Sequence, residues 1–117
     1  MNKEEALKKI KAHLDGVEPQ VLTPKGVTYE DHVLFLTQKL MSEVISPIRV
    51  KVTSTIITGD AFAKYSGSDV WGIAKGKGGW LLTIEGESEF ALGFGDNPNE
   101  IQLHGCSSSD VLAEWCA

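Results

Sequence analysis

Long hydrophobic runs are absent from this sequence of 117 residues. No apolar segment approaches the ~18 residues that a membrane-spanning helix requires. The first residues form a charged helical pattern, not the short basic region and apolar stretch of a signal peptide. We therefore expect a cytoplasmic protein that has no membrane partner.

Cysteine is also scarce, since Cys106 and Cys116 are the two examples. One bridge near the end of the chain would be a poor framework for a secreted domain, so we expect free thiols. A structural zinc site needs four ligands and these cysteines have only His104 nearby, so we predict no metal and no cofactor. The alternative of a small enzyme requires His104 to activate Cys106 as a nucleophile. His104 shares the polar face of its strand with Gln102, whereas Cys106 follows Gly105, where the chain should leave the sheet to start the last helix. The two side chains therefore have no reason to meet, which argues against catalysis.

Clusters of basic residues are a third absence. The chain has 16 acidic and 11 basic residues, a formal net charge of -5, and its lysines are scattered. Nucleic-acid binding draws on clustered lysine and arginine, so we expect no nucleic-acid partner. Segment 75–79 is rich in glycine and lysine but lacks the spacing and the hydroxyl of a P-loop, and we interpret it as a turn. A basic protein or a small molecule fits the charge better.

The amino-acid composition predicts one folded domain that spans residues 1–117. Apolar residues form 42% of the chain and charged residues 23%, both near globular values. Apolar spacing predicts a helix over 3–15, with a capping box of Asn2 and Glu5, and a second helix over 29–44, capped by Thr28.

Strands follow the two helices. Pro47 cannot continue the second helix, so residues 45–47 should turn the chain, and apolar residues then alternate from Ile48 to Ile56. Further strands are predicted at 61–65, 70–74, 80–85, 89–94 and 100–104. A short helix capped by Ser107 or Ser108 should close the chain. The fold class is therefore α+β, an antiparallel meander sheet of four to six strands with two N-terminal helices and a short C-terminal helix, all on one face.

The hairpin between the strands at 80–85 and 89–94 concentrates negative charge. Matching the apolar faces of the two strands requires Ile84 opposite Phe90, which sets Glu85 opposite Glu89. Glu87 then lies in a three-residue loop between them. Like charges directly opposed are mildly destabilising, so this acidic tip needs compensation. A solvated turn would explain it, and so would an acidic docking patch.

These observations lead to a hypothesis of a non-catalytic protein-binding domain with a basic protein partner. Its docking residues would be Glu85, Glu87, Glu89 and Trp71, because Trp71 follows a polar loop and is the tryptophan expected to be partly open. The alternative is a small-molecule-binding protein with an apolar pocket between the sheet and the second helix. That pocket would be lined by Leu36, Leu40, Phe62, Trp71 and Trp80.

The second half of the chain resembles the SUKH superfamily of bacterial immunity proteins. The resemblance lies in residues 70–73 (VWGI) and 79–82 (GWLL), the acidic turn and strand that follow, and a serine-capped closing helix over 107–115. It covers about half of the chain and does not extend to the first 60 residues. It implies a protein that binds and neutralises a toxin. Small orphan proteins of mobile gene cassettes are similar in size and composition.

Overall fold

The computed structural model describes residues 1–16, 23–55, 60–76, 79–87, 89–104 and 115. Within these residues the chain forms three helices and six strands, and the fold class is α+β as predicted. In chain order the elements are α1 (Lys3–Gly16), α2 (Tyr29–Glu43), β1 (Val44–Val50), β2 (Val52–Thr55), α3 (Asp60–Ser66), β3 (Val70–Lys75), β4 (Gly79–Ile84), β5 (Phe90–Phe94) and β6 (Ile101–Leu103). The predicted closing helix after Ser107 or Ser108 lies outside the described residues.

The predicted caps of the first two helices are confirmed. The backbone N–H of Asn2 donates to Glu5 Oε1 at 3.2 Å, and the N–H of Glu5 donates to Asn2 Oδ1 at 2.8 Å. The N–H of Asp31 donates to Thr28 Oγ1 at 3.2 Å. These bonds satisfy amide groups that the first turn of a helix leaves without partners, which is why the sequence marks both starts so clearly.

The sheet is not the antiparallel meander that the sequence predicts. Its strand order is β1-β3-β4-β5-β6-β2, and β2 runs parallel to β6 while the other neighbours are antiparallel. The connection between the parallel strands β2 and β6 is long: it consists of α3, β3, β4 and β5. It is therefore not the simple strand-helix-strand crossover that sequence reasoning looks for. Lys51 alone separates β1 from β2, yet these strands form the two edges of the sheet. The sheet therefore curls until one continuous stretch of chain supplies both edges.

Two local predictions were wrong. Residues 61–65 form part of α3 and not a strand, because Phe62 and Tyr65 are three residues apart and pack together on the same cluster. Residues 45–47 do not turn the chain, since β1 runs through Pro47. An edge strand tolerates a proline that lacks an N–H, and the pairing of β1 with β3 is irregular between Val44 and Ile48.

Apolar side chains form one cluster on each face of the sheet. The helix-side cluster lies beneath α1 and α2 and contains Ala6, Ile10, Leu36, Leu40, Val44, Ile73, Ala74, Leu81 and Phe90. The inner cluster receives residues from all six strands and from α3, and contains Val50, Val52, Tyr65, Val70, Trp80, Leu82, Ile84, Ala91, Ile101 and Leu103. Because both edges contribute to it, the inner cluster lies on the concave side of the curl. Strand β4 is buried along its whole length, since both of its faces are covered.

Candidate functional site

The acidic hairpin between β4 and β5 has a different register from the one predicted. Thr83, and not Ile84, lies opposite Phe90, and Leu82 lies opposite Ala91. Glu85 is therefore not paired with Glu89, and the predicted opposition of like charges is wrong. Alternation could not decide the register, because apolar side chains are accepted on both faces of β4.

Glu87 and Glu89 are paired with a lysine of α3. The Nζ of Lys64 lies 2.5 Å from Glu89 Oε1 and 3.6 Å from Glu87 Oε2. The hydrogen bond to Glu89 raises the pKa of Lys64, because it favours the ammonium form. The backbone carbonyl of Glu89 also accepts from Thr83 Oγ1 at 3.0 Å. Glu89 is thus held to the body of the protein on both its side chain and its backbone.

A lysine of α1 reaches the same hairpin from another side. The Nζ of Lys9 donates to the backbone carbonyl of Ile84 at 2.9 Å and lies 5.8 Å from the centroid of the Phe90 ring. Burial lowers the pKa of Lys9, and the attraction of the hairpin carboxylates, Glu85 first among them, opposes that effect. The compensation that an acidic tip requires is therefore supplied by lysines 9 and 64. The sequence gives no signal for them, since they are distant from the hairpin in the chain and ordinary on their helices.

Trp71 lies beside the third carboxylate. Its Nε1 donates to Glu85 Oε2 at 3.2 Å. The guanidinium of Arg49 lies over the indole, 5.3 Å from the ring, and also forms an ion pair with Asp69. Trp71 is half-buried while Glu85 is exposed. We use the term hairpin surface for the residues Trp71, Glu85, Glu87, Glu89, Lys9, Lys64, Arg49 and Asp69.

The hairpin surface is close to neutral. Its four carboxylates face two lysines and one arginine, so the local excess is one negative charge at neutral pH. Long-range attraction of a basic partner is correspondingly modest. Ion pairs hold Glu87, Glu89 and Asp69, and Glu85 accepts a hydrogen bond from Trp71. A solvated acidic turn would not have these partners.

The residues of the alternative pocket are not brought together. Leu36 and Leu40 belong to the helix-side cluster, and Trp71 packs against it. Trp80 belongs to the inner cluster, where Phe62 also packs. The two groups lie on opposite faces of the sheet, so the prediction of one pocket lined by all five is wrong. Alternation along each strand separates faces, but the sequence does not show that both faces are covered.

Two open grooves lie elsewhere on the structure. The first has a volume of about 430 Å³ and runs between α1 and α2, lined by Lys11, Leu14, Asp15, Val33, Thr37 and Met41. The second, of about 380 Å³, lies between the end of α2 and the start of β4. There Trp115 Nε1 donates to Glu43 Oε1 at 3.1 Å. The first groove is mostly apolar and has the size of a small-ligand site.

The thiol alternative depends partly on residues outside the described part of the chain, namely Cys106 and Cys116. His104 is described, and its Nε2 lies 2.7 Å from Gln102 Oε1. Its ring packs edge-to-face with that of Phe94, with the ring centroids 4.3 Å apart. The pairing with Gln102 agrees with the polar face predicted for that strand. Among the described residues, no three His, Cys, Asp or Glu side chains are grouped as metal ligands.

No family model matches the chain, and no curated protein or solved structure is significantly similar to it. No helix in the described ranges is long and apolar enough to span a membrane.

Proposed function

We propose that this chain is a non-catalytic protein-binding domain that docks a basic protein on the hairpin surface. The observation that supports this best is the pair formed by Trp71 and Glu85, a half-buried indole within 3.2 Å of an exposed carboxylate. A tryptophan beside an acid suits a lysine or arginine of a partner, which can pair with the carboxylate and take the place of Arg49 over the ring.

The three glutamates differ in exposure and in contacts, and we propose different roles for them. Glu89 is only 22% exposed in its side chain and is held by Lys64, so we assign it to the fold. Glu87 is 47% exposed and lies farther from the same lysine. Glu85 is the carboxylate that borders Trp71, and we assign it to docking. A basic partner would also meet Arg49, whose charge Asp69 offsets.

The resemblance to the SUKH superfamily makes a toxin the basic partner that we propose, with the chain as its immunity protein. A toxin gene directly beside the gene for this chain would support that identity. The orphan proteins of mobile gene cassettes leave the partner open but are compatible with the same docking surface.

The test compares affinity columns that carry the wild type, Glu85→Lys or Glu100→Lys. Glu100 is exposed in the loop before β6, at the opposite end of β5 from the hairpin, so its substitution matches the charge change without touching the hairpin surface. We expect a protein of high isoelectric point from the native cell to bind the wild type and Glu100→Lys columns and to be lost from Glu85→Lys. Equal retention on all three columns would contradict the proposal.

A second candidate is small-molecule binding in the groove between α1 and α2. Its volume of about 430 Å³ and its apolar lining favour an amphipathic ligand, whose charged end would meet Lys11 or Asp15 at the rim. This site replaces the pocket predicted from the sequence.

Thermal shift with fatty acids and apolar amines tests the groove. A ligand that binds the folded state raises the melting temperature by mass action. Thr37→Phe should abolish the thermal shift, because Thr37 lines the groove. Gln38→Phe should leave the shift unchanged, because Gln38 is the exposed neighbour of Thr37 and does not line the groove. Shifts that survive Thr37→Phe, or no shift with either ligand class, would count against this candidate.

A further inference from the structure

Helix α2 carries a row of three exposed side chains that belong to neither apolar cluster. Asp31, Phe35 and Lys39 follow one another at intervals of four residues, so they line one side of the helix. Phe35 is 60% exposed and stands between the two charges. The described residues provide no ion pair to Asp31 or Lys39. We call these three residues the α2 stripe.

The apolar centre of the stripe is widened by its neighbours. The ring of His32 stacks on Phe35 with centroids 6.5 Å apart, and Leu34 is 56% exposed. Large side chains this open are unusual next to one another on a helix whose other side is buried in a core. A face of this kind gains from burial against another apolar surface.

The order of the charged residues along the α2 stripe indicates which surface can pack against it. When two copies of α2 pack antiparallel about a two-fold axis at Phe35, each Phe35 meets its counterpart. Asp31 of each copy then lies opposite Lys39 of the other, because both are four residues from the axis. The stripe is thus complementary to itself in charge and in shape, as an isologous interface requires. Any partner with another charge order would leave one of the two charges opposed or unpaired.

We infer that the protein forms a two-fold homodimer through the α2 stripe. The 15 residues of α2 extend for about 22 Å, enough for Phe35 at the centre and an ion pair on each side. The interface uses none of the residues of the hairpin surface, so a dimer would present two docking surfaces. The inference does not depend on the proposed function.

Sedimentation velocity over about 1 to 200 µM tests the dimer. We expect the wild type to reach twice the 12.7 kDa of one chain within this range. Phe35→Asp should stay monomeric, whereas Ile48→Asp should dimerise like the wild type, since Ile48 is a partly exposed apolar residue of β1 outside the stripe. Circular dichroism checks that each variant retains its helices.

A charge exchange then tests the antiparallel geometry. Asp31→Lys and Lys39→Asp should each raise the dimer dissociation constant about tenfold, because each replaces two symmetric ion pairs with two repulsions. The double variant should recover the wild-type constant within about threefold, since it restores opposite charges across the axis. A wild type that is monomeric at 200 µM overturns the inference. So does a dimer that survives Phe35→Asp, or one that the double exchange fails to restore.

Discussion

The two apolar clusters of this protein are assembled in different ways. The helix-side cluster forms between a sheet face and two amphipathic helices, whose backbones are not part of the hydrogen-bonded sheet. The inner cluster is bounded by strands that are hydrogen-bonded to one another and by both ends of the curled sheet. We infer that equally buried residues of the two clusters differ in how far their surroundings can relax after a substitution. The inner cluster should tolerate changes of volume less well than the helix-side cluster.

The largest difference in stability between the two clusters is expected when a buried leucine is truncated to alanine in each of them. Leu40 and Leu82 are both fully buried, the first in the helix-side cluster and the second in the inner cluster. Substitution of leucine by alanine leaves a cavity whose free-energy cost depends on how far the surroundings collapse. We expect Leu82→Ala to lower the free energy of unfolding by about 4 to 5 kcal/mol and Leu40→Ala by about 3 kcal/mol. Urea unfolding of both variants measures this, and equal losses would remove the distinction.

A smaller effect is expected from adding a methyl group to the inner cluster. A Cβ on Gly93 would lie 2.6 Å from Ile101 Cγ2 and 2.8 Å from Leu82 Cδ1, both closer than carbon atoms approach. Gly93→Ala should therefore destabilise the fold by about 1 to 3 kcal/mol through overpacking. Gly79→Ala is the control, because its Cβ would meet Phe94 at an ordinary 3.5 Å. Thermal unfolding that ranks the two variants equally would show that the inner cluster can relax.

The smallest effect concerns the two hairpin lysines, which should respond to pH in opposite directions. The pKa of Lys64 is raised, so its stabilising contribution is complete below 10.5 and is lost as the pH rises through the folded-state value. The pKa of Lys9 is lowered by burial, so stability increases as the pH rises through that value towards 10.5.

Denaturant unfolding between pH 8 and 11.5 measures the two lysines separately. The difference in unfolding free energy between the wild type and Lys64→Met should shrink above pH 10.5. The unfolding free energy of the wild type relative to Lys9→Met should instead increase as the pH rises towards 10.5. If both differences move in the same direction, the assignment of buried and paired roles fails.

The parts of the fold that the sequence predicts are those specified by local chemistry. Asn2 and Thr28 mark helix starts because a cap is satisfied within one turn, and β3 to β6 begin and end near glycine and proline clusters. The curl is not specified locally, since it depends on the pairing of Val52 with Ile101, two residues that are far apart in the sequence. The same limit applies to the candidate site. Glu85 and Trp71 could be chosen from charge and loop position, but Lys9 and Lys64 could not, because only the fold brings them to the hairpin.

The single residue that separates β1 from β2 has a consequence for how the protein folds. Lys51 donates its N–H to the carbonyl of Pro98 at 2.8 Å, and its own carbonyl accepts from Ile101 at 2.9 Å. Among the described strands β2 pairs with β6 alone, so it has no partner in this sheet until β6 emerges during synthesis, after β3, β4 and β5. Such distant pairings close late and slow folding, because a long loop must be ordered before the contact forms. Until then β2 is an unpaired strand, and a truncation before residue 101 should leave it available to other chains.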